Sequence, residues 1–139
     1  MSDYIKLQKI RTEPDFTELK VVAQNPVISA TAKIYVTAVM LEELQEQIQA
    51  FLSEKDLEGY WENDVPGIGG PPCVSMKFLP QPQETGALIE IYMELNDGGS
   101  FMDHHCRFYV GTSRQALKQF AEELTDFLQD ESRSQMVLS

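Results

Sequence analysis

The chain has 139 residues and a mass of 15.8 kDa, the size of a single domain, and 42% of its residues are hydrophobic, enough for a core without disulfide cross-links. Its 22 acidic and 11 basic residues give a formal net charge of −11. Such a surface repels nucleic-acid phosphates and anionic lipid headgroups, so we expect neither nucleic acid nor a membrane as a partner. It would attract a basic protein, or it keeps the chain soluble and does nothing more.

The N-terminal residues lack the long apolar segment of a signal peptide. No run reaches the ~18–20 apolar residues that cross a bilayer. The two cysteines fall in separate predicted strands, which favours reduced thiols over a disulfide framework. We therefore predict a cytoplasmic protein, and no motif indicates a cofactor.

Strands are predicted in the first third of the chain, at residues 4–12, 16–24 and 27–37. The first breaks its alternation at Ile10, whereas the third is rich in β-branched residues with a period of two. The period then changes to that of an amphipathic helix, for which Thr37 is a suitable N-cap. The apolar stripe of this helix is Leu41, Leu44, Ile48, Phe51 and Leu52.

A segment rich in glycine and proline, residues 54–72, is predicted as a loop. Strands follow at 73–79 and 87–96, and the sequence "NDGGS" at 96–100 indicates a hairpin turn into a return strand at 99–110. Thr112 with Gln115 fits a capping box for a second amphipathic helix. The apolar face of that helix is Leu117, Phe120, Ala121, Leu124, Phe127 and Leu128. Residues 130–139 are predicted as a flexible tail, with docking of Met136, Val137 and Leu138 as the alternative.

The two helices share a spacing. The five apolar positions of the first helix, shifted by 76 residues, coincide with Leu117, Phe120, Leu124, Phe127 and Leu128. Either the chain repeats a βββα unit, or two unrelated amphipathic helices share the pattern, and both interpretations stay open. Residues 1–53 would be the first half, 73–129 the second, within a single domain spanning 1–139.

The predicted fold is α+β: an antiparallel sheet of about six strands with the two helices on one face. The face of the sheet toward the helices is expected to carry Ile28, Ile34, Val36, Val74, Met76, Ile89, Ile91, Cys106 and Phe108.

Both histidines lie in the stretch "GSFMDHHCRFYV", residues 99–110. On a strand His104 and His105 point to opposite faces and cannot chelate one ion together. A metal site would need His104 and Cys106 with Cys73 from a neighbouring strand, and the paired ligand spacing of structural zinc is absent. Cys106 also lacks a base at hydrogen-bonding distance along the strand. We therefore predict strand residues here, with a metal or small-ligand site as the alternative.

Acidic and aromatic side chains form the candidate protein-binding residues. Tyr60 and Trp61 are flanked by Glu58, Glu62 and Asp64, so Trp61 is either buried against the sheet or an exposed anchor rimmed by acids. The first helix turns an acidic face outward. Together the candidate binding residues are Glu42, Glu43, Glu46, Glu58, Tyr60, Trp61, Glu62 and Asp64.

A strand ending "YVT", a helix of the form L-x-x-L-x-x-x-I-x-x-F-L, a following tryptophan, a hairpin and a final L-x-x-F-x-x-x-L-x-x-F-L helix resemble small bacterial α+β proteins. Several such families are immunity proteins of polymorphic or contact-dependent toxin systems. The resemblance spans residues 27–128 and implies a toxin-neutralising partner role. It carries over no catalytic residues.

These observations favour a non-enzymatic, cytoplasmic protein-binding module, in the form of an acidic immunity-type inhibitor of a basic toxin. Two other classes stay open. One is a small-ligand or metal-binding protein that uses the sheet face near His104 and Cys106. The other is a self-associating structural subunit, for which a homodimer would suffice.

Overall fold

Eight strands and two helices are found in the residues that the computed structural model describes, which are 3–53, 58–63, 73–82, 85–95 and 104–139. In chain order these elements are β1 (Tyr4–Thr12), β2 (Thr17–Gln24), β3 (Ser29–Val36), α1 (Ala38–Ser53), β4 (Gly59–Glu62), β5 (Val74–Pro80), β6 (Gly86–Leu95), β7 (His104–Ser113), α2 (Arg114–Gln129) and β8 (Gln135–Leu138). The α+β class predicted from the sequence is confirmed.

The strands form two antiparallel sheets of four strands each, not the one sheet of about six strands predicted. Sheet A has the order β3-β2-β1-β8, and sheet B has the order β4-β5-β6-β7. The prediction of a single sheet was wrong because strand pairing between distant segments leaves no local trace in the sequence. The helices pack on each other; α1 also contacts β4, and α2 contacts β6, β7 and β8.

The same order of elements occurs twice, with an exchange of strands. The first unit runs β1-β2-β3-α1-β4 and the second β5-β6-β7-α2-β8. The last strand of each unit joins the sheet of the other, because β4 pairs with β5 and β8 pairs with β1. Both helices have 16 residues, and α2 begins 76 residues after α1 (114 − 38). The repeated unit is therefore βββαβ, one strand longer than the βββα unit of the sequence interpretation.

Strand β4 lies inside the segment 54–72 that was predicted as a loop. Its first residue, Gly59, allows a close approach between elements. A Cβ atom at this position would lie 3.0 Å from Cδ2 of Phe78 and 3.2 Å from the carbonyl oxygen of Gln47. Residues 54–57 and 64–72 of that segment, and the predicted hairpin turn at 96–100, lie outside the described residues.

The C-terminal residues form strand β8 rather than the predicted flexible tail, in agreement with the alternative of docking. Met136 and Leu138 face the core and are each 2% exposed, while the intervening Val137 faces outward. In the register with β1, Leu138 lies opposite Ile5 and Met136 opposite Leu7. Four residues are too few to show a convincing alternation in the sequence.

Each helix begins at a hydroxyl cap. The prediction of Thr37 as the N-cap of α1 is confirmed, since its Oγ1 accepts a hydrogen bond from the amide of Met40 at 3.2 Å. The cap of α2 is Ser113, whose Oγ accepts from the amide of Ala116 at 3.0 Å, and not Thr112 as predicted. Strand β7 extends through Thr112, which places the cap one residue later.

One apolar core joins both sheets and both helices. The expected sheet positions are buried: Ile34, Val36, Val74, Met76, Ile89, Ile91 and Phe108 belong to this core, and Ile28 and Cys106 pack against it. The broken alternation at Ile10 corresponds to a β-bulge, because the register of β1 with β2 shifts between Lys9 and Arg11. Among the helices described, none is both long and apolar enough to span a bilayer.

Candidate protein-binding surface

Helix α1 lies alongside β4, one of the two edge strands of sheet B. The indole Nε1 of Trp61 donates a hydrogen bond to the backbone carbonyl of Met40 at 2.8 Å. The backbone amide of Tyr60 donates to Oε1 of Gln47 at 3.2 Å. The second bond also occupies an amide at the edge of the sheet, which otherwise would be open to another strand.

These two bonds determine where the acidic residues of α1 lie. Met40, Glu43 and Gln47 follow one another at helical spacings of three and four residues and so occupy one stripe of the helix. Because the side chain of Gln47 bonds to β4, the stripe that includes Glu43 lies on the side of α1 toward β4. Glu42 and Glu46 are exposed on the adjoining outward face.

Strand β4 contributes the acid Glu62 and an exposed aromatic ring, and Glu58 directly precedes the strand. Tyr60 is 49% exposed and donates from its hydroxyl to Oε2 of Glu62 at 2.8 Å. Desolvation, and then the hydrogen bond with Glu62, raises the pKa of the Tyr60 hydroxyl. Glu58 lies 3.2 Å from Nζ of Lys77 on β5. The structure therefore brings together two sets of predicted residues that are separate in the sequence.

We call this region the α1–β4 acidic surface. It consists of Glu42, Glu43, Glu46, Glu58, Tyr60 and Glu62. Asp64, which was predicted to belong to it, lies outside the described residues.

Trp61 does not belong to this surface, which corrects its inclusion among the binding residues. Alternation along β4 turns Trp61 to the inner side of sheet B, opposite Met76, and leaves it 4% exposed. Of the two interpretations that the sequence left open, burial is the one observed. The neighbouring Tyr60 is the aromatic residue available to a partner.

The residues considered for a metal site do not assemble. Cys106 lies in one row with Met93 and Val74, so Cys73, the residue before Val74, faces the opposite side of the sheet. Burial raises the pKa of the Cys106 thiol, the reverse of what an activated nucleophile requires. Across the described parts of the chain, no group of three or more histidine, cysteine, aspartate or glutamate side chains is placed to hold a metal ion.

The outer face of sheet B extends the region beyond β4 with residues that the sequence reasoning missed. His105 lies 5.8 Å from Tyr92, centroid to centroid, and the guanidinium of Arg107 lies 5.4 Å from the same ring. The Nε of Arg107 is 3.7 Å from Oε1 of Glu90. Desolvation, followed by Glu94, raises the pKa of Tyr92. The alternation in the sequence already predicts that Glu90, Tyr92 and Glu94 share one face of β6 and that His105 and Arg107 share one face of β7. The pairing of the two strands brings these two sets together.

A surface pocket of about 370 Å³ lies elsewhere, at the C-terminal end of α2, lined by Asp126, Gln129, Asp130 and Arg133. It contains none of the predicted site residues.

The comparisons with known proteins give little for this chain. No protein-family model matches it, and no curated protein matches it. The fold is similar to that in a solved structure of the plant transcriptional regulator PBF-2, with a TM-score of 0.47 and 8% sequence identity. That similarity covers 90% of this chain and 72% of the regulator's chain.

Proposed function

We propose that this chain is a non-enzymatic, cytoplasmic protein-binding module that binds a basic protein partner through the α1–β4 acidic surface. The observation that carries this proposal is the alignment of α1 along β4 by the Gln47–Tyr60 and Met40–Trp61 hydrogen bonds. That alignment supports the proposal, because it puts the helix that carries Glu42, Glu43 and Glu46 beside the strand that carries Tyr60 and Glu62.

The composition of the surface suits recognition of a cationic partner. Five of its six residues are acidic, and of these Glu58 alone forms an ion pair in the described structure, with Lys77. Charges of this kind contribute mainly to the rate and specificity of encounter. Tyr60 adds an exposed ring with a polar end, the type of side chain that is enriched at the centre of protein interfaces.

The specific form that we propose is an immunity-type inhibitor of a basic toxin. Two considerations support it: the resemblance of residues 27–128 to immunity-type proteins, and the net charge of −11, which complements a cationic toxin. An inhibitor needs a preformed surface but no catalytic residues.

The test is side-by-side capture with matched baits. The wild-type chain, a Glu42→Lys/Glu43→Lys/Glu46→Lys variant and a control variant are immobilised in equal amounts and exposed to lysate of the source cells. The control, Glu122→Lys/Asp126→Lys/Glu131→Lys, makes the same change of charge at exposed positions on and after α2. We expect a basic protein that is retained by the wild type and the control, is released at high salt, and is lost from the α1 variant.

Retention of the same protein by all three baits would contradict the assignment of the surface. For the immunity form, the gene of the captured protein is expressed alone and together with each variant. Growth rescued by the wild type and the control, but not by the α1 variant, is the expected result. Circular dichroism of all three chains shows that each is folded.

A further inference from the structure

The outer face of sheet A is positively charged, although the net charge of the whole chain is negative. Its rows, read from the strand register, contain Lys6, Lys20, Lys33 and Arg11, four of the eleven cationic residues. Glu18 is the one acid in these rows, and its Oε1 lies 3.4 Å from Nε of Arg11. A basic face thus lies on a chain whose acids outnumber its bases two to one.

The lysines of this face are not neutralised within the described residues. Lys20 lies directly opposite Lys33 on the neighbouring strand, and like charges at such positions destabilise a sheet. None of the ion pairs found in the described parts of the chain involves Lys6, Lys20 or Lys33. The uncompensated repulsion means that an anionic ligand on this face would gain binding energy by relieving it.

Among the described residues, no further strand pairs with the edge of sheet A that lies next to these lysines. The edges of sheet B are protected: Gln47 occupies the amide of Tyr60 on β4, and Asn25 donates to the carbonyl of Tyr109 on β7 at 2.8 Å. Asp3 also accepts a hydrogen bond from the amide of Gly111 on β7, at 2.7 Å. The other edge strand of sheet A, β8, is flanked by helix α2. In the described chain, by contrast, the backbone of β3 forms hydrogen bonds with β2 and with no other element.

We infer that β3 binds an extended acidic polypeptide segment, which adds to its free edge as a fifth strand of sheet A. The main chain of the segment would pair with β3, whose eight residues expose Ser29, Thr31 and Lys33. Side chains of an added strand alternate, so every second residue of the segment lies on the outer face beside Lys33 and Lys20. The segment is therefore one with Asp or Glu at alternate positions and apolar residues between them.

This surface is distinct from the α1–β4 acidic surface, and the two bind partners of opposite charge. An acidic segment also fits better than a nucleic acid, because a polyanion longer than this face would meet the acidic remainder of the chain.

The experiment uses the full chain and an end-blocked octapeptide of alternating valine and glutamate. Its binding is measured by calorimetry, and amide hydrogen exchange is followed with and without the peptide. We expect binding that weakens as salt increases, together with new protection of β3 amides. Lys33→Gln should weaken peptide binding about two- to five-fold, the effect of one exposed ion pair. Lys118→Gln, at an exposed position on α2, should have no effect on peptide binding.

Several results would overturn the inference. One is equal binding of a peptide with lysine in place of glutamate, and another is the absence of binding or of new protection at β3. Protection of β3 that depends on protein concentration without any peptide would instead indicate a second copy of the chain. Binding of a single-stranded oligonucleotide to the same lysines with β3 unprotected would indicate a nucleic-acid ligand. Charge reversal on α1 should leave peptide binding unchanged, so the outcome is independent of the proposed function.

Discussion

The side-chain amide of Gln45 on α1 donates a hydrogen bond of 2.6 Å to the backbone carbonyl of Ala121 on α2, one repeat of 76 residues away. A residue that contacts its own counterpart in the other unit lies where the two units meet. Both caps obey the same shift, since Thr37 and Ser113 begin the two helices. The contact between α1 and α2 is thus the centre of a structure built from two similar βββαβ units.

Replacement of Gln45 tests this contact. We expect Gln45→Ala to lower the free energy of unfolding by about 0.5–1.5 kcal/mol, the net value of one hydrogen bond that is partly shielded from water. Gln49→Ala, at an exposed position one turn later, should change it by less than about 0.5 kcal/mol. Urea unfolding followed by circular dichroism measures both, and equal effects would show that the Gln45 bond contributes nothing.

The helices could be predicted from the sequence, but the division into two sheets could not. The stripe from Leu41 to Phe51 has a period that only a helix satisfies, so local pattern was sufficient. The pairing of Leu7 with Met136 joins the two ends of the chain, and no local signal indicates it. The acids of α1 and of β4 were likewise recognised separately. Their adjacency depends on the Gln47–Tyr60 bond, a tertiary contact.

The burial of Trp61, the single tryptophan of the chain, predicts its response to substitution. Trp61→Phe removes the hydrogen bond to Met40 and leaves unfilled volume, so we expect a loss of about 1–3 kcal/mol in unfolding free energy. Tyr60→Phe, next to it on the exposed side, should cost less than about 0.5 kcal/mol. Acrylamide should quench the native fluorescence of Trp61 weakly and that of the unfolded chain strongly. Strong quenching in the native state would refute its burial.

Strand β8 predicts that the last residues contribute to stability. Met136→Ala should lower the free energy of unfolding by about 2–5 kcal/mol, because it empties a site that is 2% exposed. Val137→Ala, which alters a side chain on the outer face, should change it by about 0.5 kcal/mol or less. Thermal unfolding of the two variants distinguishes them, and a flexible tail would show no difference.

The raised pKa of Cys106 predicts slow alkylation. The folded chain holds the thiol proton more tightly than the unfolded chain, so less thiolate is present at any given pH. The protonated Cys106 thiol contributes fully to stability below the pKa of the unfolded chain, about 8.5. This contribution is lost as the pH rises through the pKa of the thiol in the folded chain. Iodoacetamide labelling, mapped by mass spectrometry over a pH series, should give a higher midpoint for Cys106 in the native chain than in urea. A lower native midpoint would instead indicate an activated thiol.

The start of α2 offers two adjacent hydroxyls with opposite expected effects. Ser113→Ala removes the cap that accepts from Ala116, and we expect it to lower the free energy of unfolding by about 0.5–2 kcal/mol. The Oγ1 of Thr112 is buried and has no hydrogen-bond partner in the described structure. Thr112→Val keeps the shape of the side chain and removes that unpaired group, so it should be neutral or stabilising. If Thr112 were the cap of a capping box with Gln115, the order of the two variants in urea unfolding would be reversed.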